Sequence, residues 1–129
     1  MFSTDYWVVH TEWPPERRHV ADARAFVADR LTDEGLTDLL PTSVLIVSEL
    51  ATNAVVHART WFRVTIVREG DCLVLEVHDD SDREAVRAAK DVTSLGGRGL
   101  ELVVALSSTW GVTAHPGGGK SVWARLPVA

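Results

Sequence analysis

A single cysteine, Cys72, excludes an internal disulfide, and no Cys/His spacing of a metal-binding kind occurs. Basic residues are also short. The 13 Lys and Arg stand against 18 Asp and Glu, a formal charge of −5, so direct nucleic-acid binding is not expected. The one local cluster, Glu16-Arg17-Arg18-His19, is mixed in sign and reads as a solvated helix start. No apolar run is expected to approach the length of a membrane span, and no basic region followed by a hydrophobic one opens the chain. The expectation is a soluble, cytoplasmic protein with no membrane partner. Repeats and low-complexity segments are absent too. What remains is a globular composition: 129 residues, 46% hydrophobic and 24% charged. That suffices for one core, and so for a single domain over residues 1–129.

The stretch from Ser48 to Ala58 organises the chain. Glu49, Asn53 and His57 are spaced i, i+4, i+8, which on an α-helix places them on one face together with Leu45, Ile46 and Leu50. Between Pro41 and Ala58, Glu49 is the sole charged side chain apart from the histidine. A helix this apolar is expected to be buried. Neutral polar groups buried without partners cost roughly 2–7 kcal/mol each, so these residues either find partners within the protein or face a ligand. For His57, a packed helix-end histidine is an equally open reading.

Around this helix the pattern predicts alternating elements. Tyr6–Thr11 reads as a strand, stopped by Pro14-Pro15. Val20, Ala23, Val27 and Leu31 recur at helical spacing over Glu16–Leu31, and Gly35 ends that helix. Pro41 suits the first turn of the central helix, which is expected to run to Ala58. Trp61–Arg68 and Cys72–Asp79 form a hairpin about Glu69-Gly70-Asp71. In its second strand Leu73, Leu75 and Val77 point one way, and Val74, Glu76 and His78 the other. Asp80–Gly97 is polar and irregular, as a functional loop or lid would be, with a weak helical pattern over Arg83–Lys90. A helix follows from Gly99 to Leu106. Trp110–Ala114 and Lys120–Val128 are the last strands, joined by His115-Pro116-Gly117-Gly118-Gly119. The expected fold class is α/β (α+β): a two-layer sandwich with a largely antiparallel or mixed sheet covered on one face by helices. Trp7, Trp61 and Trp123 fall in predicted strands and are expected in the core.

Gly119-Lys120-Ser121 imitates the end of a phosphate-binding P-loop. The first glycine of that pattern would fall on Ala114, and a strand follows where a helix is required. The reading is rejected. Two other motifs are weak alone. Asp79 and Asp80 end a hydrophobic strand, where acidic turn formers are common. Gly96-Gly97-Arg98-Gly99 opens a helix whose N-terminus and cation suit an anion, or is simply a flexible loop before a helix start.

Their order carries more. Glu49-x-x-x-Asn53, then Asp79 at a strand end, then Gly97-x-Gly99 opening a helix, then Gly119-x-Ser121 before a last strand resembles the GHKL (Bergerat-fold) ATP-binding superfamily of gyrase, chaperones, histidine kinases and MutL. Ser48-Glu49-Leu50-x-Thr52-Asn53-Ala54-Val55-x-His57-Ala58 is the most specific part. It is most similar to the stand-alone anti-sigma-factor serine-protein kinases of bacteria, which are of similar length. The resemblance implies ATP and Mg²⁺ as cofactors. Glu49 would be the catalytic general base and Asn53 the Mg²⁺ ligand, with His57 near the phosphates. Asp79 would accept the adenine amino group, supported by the Ser121 hydroxyl. Ser81 would lie in the adenine-side loop, and Gly97, Arg98, Gly99 and Leu100 would form the phosphate-facing lid and helix start. Implied partners are a STAS-type anti-anti-sigma protein, a sigma factor and a second copy of the chain, since the family often dimerises. One departure stands out. After the aspartate the family has Asp-x-Gly-x-Gly, and here Ser81 and Arg83 take the glycine positions, which implies a rearranged adenine-side loop. Two functions stay open: an ATP-dependent serine/threonine protein kinase acting on the anti-anti-sigma protein, or a non-catalytic partner-switching module on the same fold.

Overall fold

A computed structural model describes residues 4–81 and 98–129, with the backbone alone for 98 and 99. The expected lid, the Arg83–Lys90 helix, Arg83 and Gly97 lie outside the described residues. In chain order the elements are β1 (Tyr6–Trp13), α1 (Arg18–Asp33), a 3₁₀ turn (Thr37–Leu39), α2 (Leu40–Asn53), a π-helical turn (Ala54–Ala58), β2 (Phe62–Glu69), β3 (Cys72–Asp79), α3 (Arg98–Leu106), β4 (Thr109–Ala114) and β5 (Lys120–Pro127).

The strands form one five-stranded sheet in the order β1-β2-β3-β5-β4. Every pairing is antiparallel, the purer of the two expected arrangements. The β2–β3 hairpin closes around Gly70, whose φ of 58° requires the left-handed region. The helices lie together on one face. α2 packs between α1 and α3 and rests on β2 and β3. The helical spacing of α1 delivers Val20, Ala23, Val27 and Leu31 to the core. There they join Ile46, Val47 and Leu50 of α2, Phe62, Val64 and Ile66 of β2, and Leu73, Leu75 and Val77 of β3.

The central helix departs from expectation in three ways. α-Helical bonding ends at Asn53, and the Arg59 N–H reaches back five residues to the Ala54 carbonyl at 2.9 Å. This wide turn breaks the i, i+4 register before His57, which is exposed. Such π turns occur frequently at functional sites. Leu45 is 40% exposed, so it does not share the burial of Ile46 and Leu50. Contrary to the expectation that no apolar run approaches the length of a membrane span, the stretch Thr37–Ala58 is long and apolar enough, by length and composition, to cross one. Its Ile46, Val47, Leu50, Ala51, Ala54 and Val55 side chains are packed inside the protein core, as those of any central core helix are.

Trp61 lies just before β2 and is 54% exposed. Trp123 stands on the sheet face away from the helices, over Gly111, where an added Cβ would come within 2.5 Å of its ring. Neither belongs to the helix-side core, and only Trp7 packs against it as expected.

Ser43, on α2, is fully buried, and its hydroxyl has no hydrogen-bond partner among the described residues. An unsatisfied buried hydroxyl costs about 1–3 kcal/mol, and alanine is the better helix former. Ser43→Ala is therefore expected to raise stability by about 1 kcal/mol, read as a higher urea midpoint at unchanged slope.

Candidate functional site

Strand alternation carries Leu73, Leu75, Val77 and finally Asp79 along the helix-facing side of β3. Asp79 is 2% exposed, so its carboxylate must be satisfied locally. Oδ1 accepts the Ser81 backbone N–H at 2.9 Å and the Ser81 hydroxyl at 2.6 Å. Oδ2 accepts from the Lys120 ammonium, whose side chain is 9% exposed. The result is a buried ion pair at the strand end. Next to it, Asp80 N–H donates to the Thr60 hydroxyl at 2.9 Å, tying the end of β3 to the segment before β2.

This corrects the role expected of Ser121. Across the β3–β5 ladder Asp79 is directly opposite Lys120, and His78 opposite Ser121. Residues opposite each other share a sheet face, so Ser121 points away from the aspartate. Its hydroxyl lies 2.9 Å from His115 Nε2 and 3.3 Å from His78 Nδ1, beneath two histidine rings whose centroids are 4.9 Å apart. Lys120, not Ser121, supports Asp79. A signal was present in the sequence. Val122, Ala124 and Leu126 alternate with Ser121, Trp123 and Arg125, which puts Lys120 on the apolar side of β5, facing the apolar side of β3. The strand at Lys120–Pro127 also agrees with rejecting the P-loop.

The remaining candidates divide by element. Glu49 and Asn53 lie one helical turn apart on α2, both half-buried. Neither has a hydrogen-bond or ion-pair partner among the described residues. Their neighbour Ser48 accepts a hydrogen bond from Arg24 of α1 at 3.0 Å. Asn53 is the last residue of α2, and the π turn that follows it packs against β3, the strand that ends in Asp79. His57 lies within that turn, exposed. Arg98 and Gly99 open α3, which packs beside α2. The first N–H groups of a helix point outward along its axis and favour an anion. Leu100 is 1% exposed and its side chain belongs to the core, so only its backbone N–H is available to a ligand.

Gly119 shapes the Asp79 corner. Its φ is +87°, and a Cβ there would stand 2.7 Å from the Asp79 carbonyl oxygen and 3.0 Å from the His78 ring. Only a glycine lets β5 begin this close to the end of β3.

The chemistry on offer is therefore a buried acceptor at a strand end, a carboxylate and amide one turn apart on a core helix and unpaired among the described residues, and a helix N-terminus. No match was found among curated proteins. The family model for the histidine kinase-like ATPase domain matches residues 13–126, from the last residue of β1 to a core residue of β5. It takes in both the fold and the corner built by Asp79 and Lys120, and the chain belongs to the histidine kinase-like ATPase domain family.

Proposed function

We propose that the protein is an ATP- and Mg²⁺-dependent serine/threonine protein kinase that modifies a STAS-type anti-anti-sigma protein and sequesters a sigma factor. Membership of the family implies an ATP site. The observation that carries the kinase reading is the Glu49/Asn53 pair. It is half-buried on the central helix, with no partner inside the described protein. Both groups are therefore open to a substrate hydroxyl and a metal ion. In this reading Glu49 takes the proton of the substrate serine as its oxygen bonds to the γ-phosphorus and the bond to the ADP oxygen breaks. Asn53 would hold Mg²⁺, an ion that takes few protein ligands and would supply charge neutralisation at the terminal phosphates. The N-terminus of α3 faces those phosphates.

The experiment is transfer of labelled phosphate from ATP to a STAS-domain protein. Glu49→Ala is expected to abolish transfer while ATP still raises the melting temperature, because the carboxylate acts in chemistry and not in binding. Labelled product from Glu49→Ala at the wild-type rate would remove the general-base role.

A second reading, a nucleotide-responsive binding module without turnover, draws on the Asp79 corner. Ser81 and Lys120 occupy three of the roughly four acceptor positions of that carboxylate, which narrows how a base can be held there. ATP binding without transfer to any serine would favour this module.

A further inference from the structure

The Asp79–Lys120 pair carries an inference that rests on the nucleotide reading above. Ser81 fills both positions on Oδ1, and Lys120 fills one on Oδ2. A carboxylate offers about four lone-pair positions, so among the described residues one remains on Oδ2. An ammonium offers three N–H donors, and Lys120 has no hydrogen-bond partner other than Asp79 among the described residues. Both groups are buried, at 2% and 7% exposure. Buried donors left unpaired are costly. Among the described residues the corner therefore presents one open acceptor beside open donors, on the helix side of the sheet.

We propose that Lys120 is a base-reading residue: it donates to the N1 ring nitrogen of a 6-aminopurine while the last lone pair of Asp79 accepts the 6-amino N–H. Adenine presents a donor and an acceptor side by side on that edge, in the order the pair demands. A 6-oxopurine in the same seating places its carbonyl against the carboxylate and its N1–H against the ammonium, two mismatches at once. A charged donor makes a stronger and less forgiving bond than a hydroxyl or a water. The close start of β5 at Gly119 holds Lys120 opposite Asp79.

The test is calorimetric titration of the full chain, with Mg²⁺, using ATP and 1-deaza-ATP, which keeps the amino group but replaces N1 by a C–H. Wild type is expected to bind the 1-deaza compound about tenfold to a hundredfold more weakly than ATP. In Lys120→Met that difference is expected to vanish. Equal affinities in wild type overturn the proposal, and so does a difference that persists unchanged in Lys120→Met, since another group must then read N1. Equal weakening of both ligands by Lys120→Met overturns it as well, because the lysine would then act on the phosphates or on the fold. If Lys120→Met fails to fold, the wild-type comparison decides alone. Absence of any ATP binding to wild type overturns the nucleotide site itself, whereas ATP binding without an N1 effect overturns only the role of Lys120.

Discussion

Asp79→Ala is expected to destabilise the protein by about 3–5 kcal/mol, the range found when one member of a buried ion pair is removed and the other is stranded. Lys120 would be left with its ammonium buried and its hydrogen bond to Asp79 lost. Ser81 would lose the acceptor of both its N–H and its hydroxyl. Lys120→Met is expected to cost less, because Asp79 keeps the two Ser81 donors when the lysine is gone. Their order is a consequence of the geometry, since among the described residues Asp79 accepts three hydrogen bonds and Lys120 donates one. Combining the two changes removes both charges together, and the double variant is expected to be more stable than Asp79→Ala alone, a positive coupling between sites in direct contact. Chemical denaturation of the four proteins measures it. Equal loss in the two single variants, with simple addition in the double, would show that the pair is not formed.

The second large effect belongs to three consecutive glycines that the sequence does not distinguish. At Gly119 an added methyl meets the Asp79 carbonyl at 2.7 Å, and the backbone φ of +87° is unfavourable for any L side chain. Gly119→Ala is expected to cost about 2–4 kcal/mol from overpacking and backbone strain together, and to loosen the register that faces Lys120 to Asp79. Gly118, at φ +104°, has nothing within 4 Å of its Cβ position, so Gly118→Ala carries only the conformational term, about 1–2 kcal/mol. Gly117 lies outside the left-handed region in open space. Gly117→Ala is expected to be neutral or to stabilise by up to about 1 kcal/mol, through the unfolded chain. Melting temperatures should fall in the order Gly117→Ala, Gly118→Ala, Gly119→Ala. A Gly119→Ala variant as stable as Gly118→Ala would mean that β5 does not begin where the structure puts it.

Most elements were legible from periodicity, because burying one side of an element imposes a repeat on the chain. Val20, Ala23, Val27 and Leu31 repeat at helical spacing and all are buried. Cys72–Asp79 alternates, and its bounds match the strand. Pro41 fell in the first turn of α2 as its missing N–H suggests. Exposure was less legible where it depends on what lies opposite. Trp61 falls in a strand by sequence pattern and is expected in the core, yet β2 begins one residue later and leaves it 54% exposed. Leu45 falls on the helix face expected to be buried, yet it is 40% exposed.

By itself the sequence determined the layered α+β architecture, the turn residues and the polar trio on an apolar helix, since these follow from local backbone preferences and from the repeat of apolar side chains. Tertiary structure decided what the trio and the aspartate face. The π turn after Asn53 shifts His57 out of the register that i, i+4, i+8 spacing implies, a change in hydrogen-bond ladder that no side-chain pattern announces. Pairing of β3 with β5, two strands separated by α3 and β4, set Lys120 and not Ser121 against Asp79. A strand's alternation fixes its two faces, but only the neighbouring strand and the helices above it decide which face meets which. A slip of one residue would have exchanged the buried ion pair for a hydroxyl, and with it the chemistry of the corner.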